Sequence, residues 1–147
     1  MSTIYTWKKP FLSKYTYIFH NDALAGQLKT LNITLTTLAT LNGNKYLFES
    51  EGIFRPSSLI INSKTKKIVG EIQYSGFQKK ATIQIGHHYF YWKKFSAFSR
   101  RWLLLDSNGV CILENFKRKT VRVTDHPDSE LLLLCALKSF ENFNRMG

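Results

Sequence analysis

The densest grouping of residues able to do chemistry runs from His87 to Trp102, where aromatic rings are interleaved with two basic pairs. On an exposed loop, Phe95 and Phe98 would dip into a membrane interface. Lys93, Lys94, Arg100 and Arg101 would then meet anionic head groups, each cation contributing about 1 kcal/mol near such a surface. The same inventory could stack the bases and neutralise the phosphates of a single-stranded nucleic acid. A third arrangement is a plain hairpin with Phe90, Trp92 and Trp102 in the core and the charges solvated, since aromatic residues in strands are usually packing elements. A second basic run, Lys117-Arg118-Lys119 with Arg122 close behind, would either join the same anion-binding face or form a solvated turn. Lys64, Lys66, Lys67, Lys79 and Lys80 also read as hairpin-end lysines. A fold that gathered several of these turns at one end would make that end strongly electropositive.

Catalysis finds little support in the residues. Adjacent His87 and His88 would point to opposite faces of a regular strand, which makes them a poor metal pair. With His20, His126 and the two cysteines they form no recognisable ligand spacing, so no metal site is expected. No Gly-x-Ser-x-Gly, Walker-type loop or Gly-rich dinucleotide signature occurs, the carboxylates are scattered singly, and no cofactor is implied. The expectation is a non-enzymatic binding module. Its charge points the same way: 21 Lys and Arg against 10 Asp and Glu give a net charge of +11, which favours an anionic partner such as a membrane surface or a nucleic acid. The competing account is that lysines blunt strand edges and keep a sheet-rich protein soluble.

The elements that must position these side chains are mostly strands. Period-two alternation recurs in short pieces bounded by turn residues, as in Tyr15-Thr16-Tyr17-Ile18-Phe19, Lys45-Tyr46-Leu47-Phe48-Glu49 and Ala81-Thr82-Ile83-Gln84-Ile85. Leu31 to Leu41 is rich in β-branched residues and reads as a strand ending at the Asn42-Gly43-Asn44 turn, although its leucine spacing leaves a short helix open. A weak internal repeat aligns the segment beginning Leu59-Ile60-Ile61-Asn62-Ser63 with the one beginning Leu103-Leu104-Leu105-Asp106-Ser107. In each, Asn62 or Asp106 can bond its own downstream backbone and seed a hairpin turn.

One segment differs. Leu131 to Leu137 reads Leu-Leu-Leu-Leu-Cys-Ala-Leu, and a helix made of it is apolar all round. Such a helix must be buried on every side or lie in lipid, and it falls far short of the ~20 residues a membrane span needs. It is therefore expected inside a closed antiparallel β-barrel of about a dozen strands, which also removes exposed edges. Asp125 is the candidate N-cap, with Pro127 in the first turn and a helix over about 127–143. Cys111 and Cys135, both in apolar runs, read as reduced and buried. At 147 residues the chain suits one domain, and the N-terminus shows no secretory signal, so a cytoplasmic location is expected, with peripheral association at the membrane and no transmembrane segment.

A meander with repeated Asx-turn hairpins, closed by an apolar C-terminal helix, resembles the superfamily of tubby C-terminal-like domains, which includes the LURP-one-related proteins and the phospholipid scramblases. The resemblance is carried by Asn42 to Phe48, by Leu59 to Asn62 with Lys67 to Ile72, by the hairpin around Asp106 to Gly109, and by Asp128 to Phe140. It implies a barrel of about a dozen strands enclosing a hydrophobic C-terminal helix, and a connection to phospholipid membranes. The proline-rich and palmitoylated segments of the scramblases have no counterpart here. Nor does the basic constellation with which tubby proteins hold phosphoinositides. The leading expectation is association with an anionic phospholipid surface through Lys93, Lys94, Arg100, Arg101, Lys117, Arg118 and Lys119, with Phe95 and Phe98 as apolar contacts. The alternative is a nucleic-acid-binding or protein-interaction barrel.

Overall fold

A computed structural model describes residues 2–31, 36–51, 57–75, 79–96 and 98–145. Twelve strands precede a single helix. They are β1 (Ser2–Lys8), β2 (Tyr15–His20), β3 (Ala23–Leu31), β4 (Thr36–Leu41), β5 (Asn44–Glu51) and β6 (Ser57–Asn62), then β7 (Ile68–Ser75), β8 (Lys80–Ile85), β9 (His88–Lys94), β10 (Trp102–Asp106), β11 (Cys111–Lys117) and β12 (Thr120–Thr124). Each strand pairs antiparallel with its sequence neighbours, and β12 closes on β1 through Ser2↔Thr124 to Thr6↔Thr120. The result is a closed meander with no free edge.

Alternation decides which face goes inside. In β9, Phe90 and Trp92 are buried while Tyr89 and Tyr91, which alternate with them, face outward. Ile18 and Thr16 in β2, and Thr37, Ala39 and Leu41 in β4, line the lumen by the same rule. The turns form as their residues dictate. Asn62 Oδ1 accepts from Lys64 N at 2.9 Å and Thr65 N at 3.2 Å, and Asp106 Oδ1 accepts from Asn108 N and Val110 N, both at 2.9 Å. Closure also needs bends. Gly26 and Gly70 lie beside bulges in the β2/β3 and β6/β7 ladders, and a Cβ on either would fall 2.1 Å from the carbonyl oxygen of Thr40 or Gln84.

The helix α1 (Ser129–Arg145) runs through the lumen. Leu131 to Leu137 are 0–7% exposed, so the helix is covered on every side. Its start sits at one end of the barrel, where Glu130 accepts hydrogen bonds from Asn42 and Asn44 of the β4–β5 turn. Its last turns sit at the other end, where Phe140 meets Trp7 of β1 and Phe143 meets Tyr74 of β7 and Trp92 of β9. We call these ends the base and the mouth. Among the described residues no helix is long and apolar enough to cross a membrane.

Three expectations need correction. The helix begins at Ser129 rather than near 127, and Asp125 is not its cap. Residues preceding proline avoid the helical region, so His126 and Pro127 form a turn instead. In that turn Ser129 N donates to the carbonyl of His126, and the first helical bond runs from Leu132 N to the carbonyl of Asp128 at 2.8 Å. Leu31 to Leu41 is two strands rather than one: Leu31 ends β3 and pairs with Thr36 of β4, while 32–35 lie outside the described residues. Cys135 is buried, but Cys111 is exposed. A bulge between Leu104 and Leu105 shifts the β10/β11 register, so Ile112 and Leu113 both turn inward and Cys111 is left on the outer face.

Candidate anion-binding mouth of the barrel

In an antiparallel meander successive loops alternate between the two ends, so parity assigns each basic run to one of them. The loops after β1, β7, β9 and β11 all open at the mouth. Lys8, Lys9 and Lys14, Lys79 and Lys80, Lys93 and Lys94, Arg100 and Arg101, and Lys117, Arg118 and Lys119 therefore share it. The acidic side chains toward that end are those of Glu49 of β5 and Glu141 of α1. Asp22, Asp106, Asp125, Asp128 and Glu130 gather at the base, together with Lys64, Lys66 and Lys67. The two basic runs expected from the sequence are thus one feature, and the β6–β7 lysines belong to the opposite end.

Within the mouth the side chains divide further. Arg100, Arg101, Arg118 and Lys119 stand with Lys9 round a cavity of about 750 Å³. Its apolar wall is Trp7, Leu137 and Phe140. A neighbouring cavity of about 510 Å³ is lined by Lys79, Lys94, Arg100, Trp92 and Phe143. Lys93 lies outside both, on the outer wall directly across from Lys80. Like charges at paired positions repel, which favours a counter-ion or an anionic partner there. Lys117 is exposed at the end of β11 with its ammonium 5.9 Å from the Phe116 ring. Arg122 does not belong to the mouth: it pairs with Glu114 at 2.9 Å on the barrel wall and its guanidinium lies 4.3 Å from the Phe116 ring centre.

The loops that carry the rim are tied down by their own side chains. Asn115 Nδ2 donates to the carbonyls of Lys117 at 2.7 Å and Thr120 at 2.9 Å, clamping the β11–β12 turn that presents Arg118 and Lys119. Thr120 Oγ1 donates to the Arg118 carbonyl, and Trp7 N donates to the Lys119 carbonyl. On the β9–β10 loop, Ser99 Oγ accepts from Arg101 N at 3.0 Å, and Phe95 N donates to the Arg101 carbonyl at 2.7 Å. The Arg101 guanidinium lies 5.0 Å from the Phe95 ring and donates to the Phe116 carbonyl at 3.0 Å. Glu141 is the one acidic side chain of the larger cavity. It is buried and accepts from Thr16 Oγ1 through Oε1, while its Oε2 has no hydrogen-bond partner.

Apolar side chains project from the same end. Phe98 is 100% exposed and Phe95 52%, as the sequence suggests for a loop, whereas Phe90, Trp92 and Trp102 are core residues. Phe11 at 93% and Leu12 at 88% are further exposed apolar side chains at this end, which no sequence motif singled out. The signal lay in their neighbours: Pro10 and Ser13 close a turn through a Ser13 N to Pro10 carbonyl bond of 3.0 Å, which throws the pair outward. Leu12 also holds φ at +60°, a conformation that costs a side-chain-bearing residue about 1–2 kcal/mol.

Among the described residues no three His, Cys, Asp or Glu side chains come together as a metal site requires. Burial raises the Tyr74 phenol well above its ordinary range, although its hydroxyl lies 3.0 Å from Ser58 Oγ. It is a packed core group. No family model, curated protein or solved structure matches the chain.

Proposed function

We propose that the protein is a non-enzymatic binding module whose mouth docks peripherally on an anionic membrane surface, with the cytoplasmic leaflet the expected setting. One observation carries this reading. The three most exposed large apolar side chains among the described residues, Phe98, Phe11 and Leu12, all project from mouth loops that also hold cations. Apolar tips within a cationic rim match a lipid interface, where head groups are anionic and acyl chains begin a few ångströms deeper. A single-stranded nucleic acid would use the same cations but would stack on rings, and Leu12 has none to offer. The closed barrel of twelve strands around a C-terminal helix also supports membership of the tubby-like superfamily as a proposal about descent.

Flotation with vesicles tests the docking. Binding is expected to anionic vesicles only and to weaken as salt shortens the screening length from ~10 Å at 0.1 M. Equal recovery with neutral and anionic vesicles, or none with either, would remove the proposal.

A further inference from the structure

The larger mouth cavity has a composition that a flat lipid-binding rim does not need. Leu137 and Trp7 are 1% and 6% exposed and form an apolar floor with Phe140, and four cations stand above it on loops fixed by Asn115, Thr120 and Ser99. A volume of about 750 Å³ falls within the ~300–1,000 Å³ typical of small-molecule sites. We propose that this cavity takes a single amphiphile: a phosphate monoester held by Arg100, Arg101, Arg118 and Lys119, with its alkyl or acyl chain on the Trp7–Phe140–Leu137 floor. The inference rests on the docking reading for how a lipid ligand would reach the site.

The chemistry of the head group follows from the rim. Guanidinium groups match phosphate oxygens through paired N–H donors, and a monoester carries more charge than a diester, which suits several cations converging on one point. Because the turns bearing Arg118 and Lys119 are already clamped, little loop ordering is left to oppose binding. Glu141 restricts the ligand further. A carboxylate at the floor disfavours a bare anion placed deep and leaves Oε2 in want of a donor, so the phosphate belongs at the rim and a ligand hydroxyl would be welcome beneath it.

The chain carries its own reporter. Its three tryptophans form one cluster below the mouth, with Trp7–Trp102 ring centres 5.9 Å apart and Trp92–Trp102 6.2 Å apart. Tryptophan emission is titrated with decyl phosphate below its aggregation range, with methyl phosphate as head alone, decanol as tail alone and phenyl phosphate as a soluble aromatic ester. Decyl phosphate is expected to saturate at one per chain and to bind about 100-fold more tightly than methyl phosphate or decanol. Tighter binding of phenyl phosphate than of decyl phosphate would overturn the lipid assignment. Asn144→Phe fills an exposed position shared by both cavities without altering charge, and should weaken decyl phosphate about tenfold without weakening flotation. Flotation of wild type with no preference for decyl over methyl phosphate would overturn the cavity site and leave docking standing. Saturable decyl phosphate binding without flotation would support the site and remove docking.

Discussion

The two ends of this barrel are built from the same kind of hairpin yet have been finished differently. At the base, Asx turns and the Asn42-Gly43 turn connect strands tightly, and Glu130 fastens the helix start to Asn42 and Asn44. Carboxylates and lysines are mixed there. At the mouth cations dominate, the β1–β2 and β9–β10 loops are longer and carry apolar tips, and the helix ends beside cavities, held by Glu141 on Thr16 and by Phe140 and Phe143. Closure of a sheet demands neither the exposed phenylalanines nor the crowding of Lys80 against Lys93. The base exposes Leu24, Ile68 and Val110 too, but only to 55–63%, and that asymmetry of degree, with the pairing of Lys80 and Lys93, points to the mouth as the working end.

Both ends depend on the buried helix, so the largest effect should come from its middle. Leu134→Asp places an unpaired charge where exposure is 0%, a penalty of more than about 4 kcal/mol that removes most of an ordinary domain's stability. Loss of soluble yield and of a cooperative melt is expected. A normal melt would mean that the helix is not enclosed.

Charge reversal at either end separates the mouth from the base. Arg100→Glu combined with Arg118→Glu should weaken anionic-vesicle binding by about 2 kcal/mol or more, since each reversal removes one attraction and adds one repulsion. The triple change Lys64→Glu, Lys66→Glu and Lys67→Glu at the base alters net charge by more, yet should weaken flotation less. Equal losses would show that overall charge, rather than the mouth, drives binding.

Leu12→Gly separates binding from stability. Relief of the left-handed strain should leave the melting temperature unchanged or raise stability by about 0.5 kcal/mol, while vesicle affinity falls several-fold. A parallel loss of both would mean that Leu12 packs in the fold. At the base, Glu130→Ala removes the bonds to Asn42 and Asn44 and should cost about 1 kcal/mol in a denaturant titration with no change in flotation.

The smallest effect is chemical. Burial raises both thiols above their ordinary range, with Glu114 adding to the shift at Cys111, so little thiolate forms near neutral pH. Exposed Cys111 should nevertheless react slowly with a thiol reagent, faster as pH rises, and Cys135 only after unfolding. Mass spectrometry after partial labelling distinguishes them.

Much of the architecture was legible. The all-apolar run at Leu131 to Leu137 demanded an enclosure, and Asn62 and Asp106 announced their turns because an Asx side chain bonds backbone two residues on. Local chemistry of this kind is written in adjacent residues. The assembly of the mouth is not, because it depends on how many strands separate two loops. Without β1, and with Leu31 to Leu41 read as one strand, the parity that brings Lys9 and its loop to the same end as Arg100 and Arg118 could not be seen. Cys111 was misplaced for a related reason, since one bulge reverses the facing of a strand and leaves no mark in an apolar run. Phe11 and Leu12 carried no signal of their own because hydrophobicity alone does not distinguish a side chain that packs inward from one that projects outward.

The most direct measurement is flotation of wild type with neutral and anionic vesicles at low and moderate salt, beside the mouth variant Arg100→Glu/Arg118→Glu and the base variant Lys64→Glu/Lys66→Glu/Lys67→Glu. A polarised barrel predicts salt-sensitive recovery with anionic vesicles alone, abolished by the mouth variant and largely kept by the base variant. Recovery that follows net charge whichever end is altered, or no recovery of wild type at all, would contradict it.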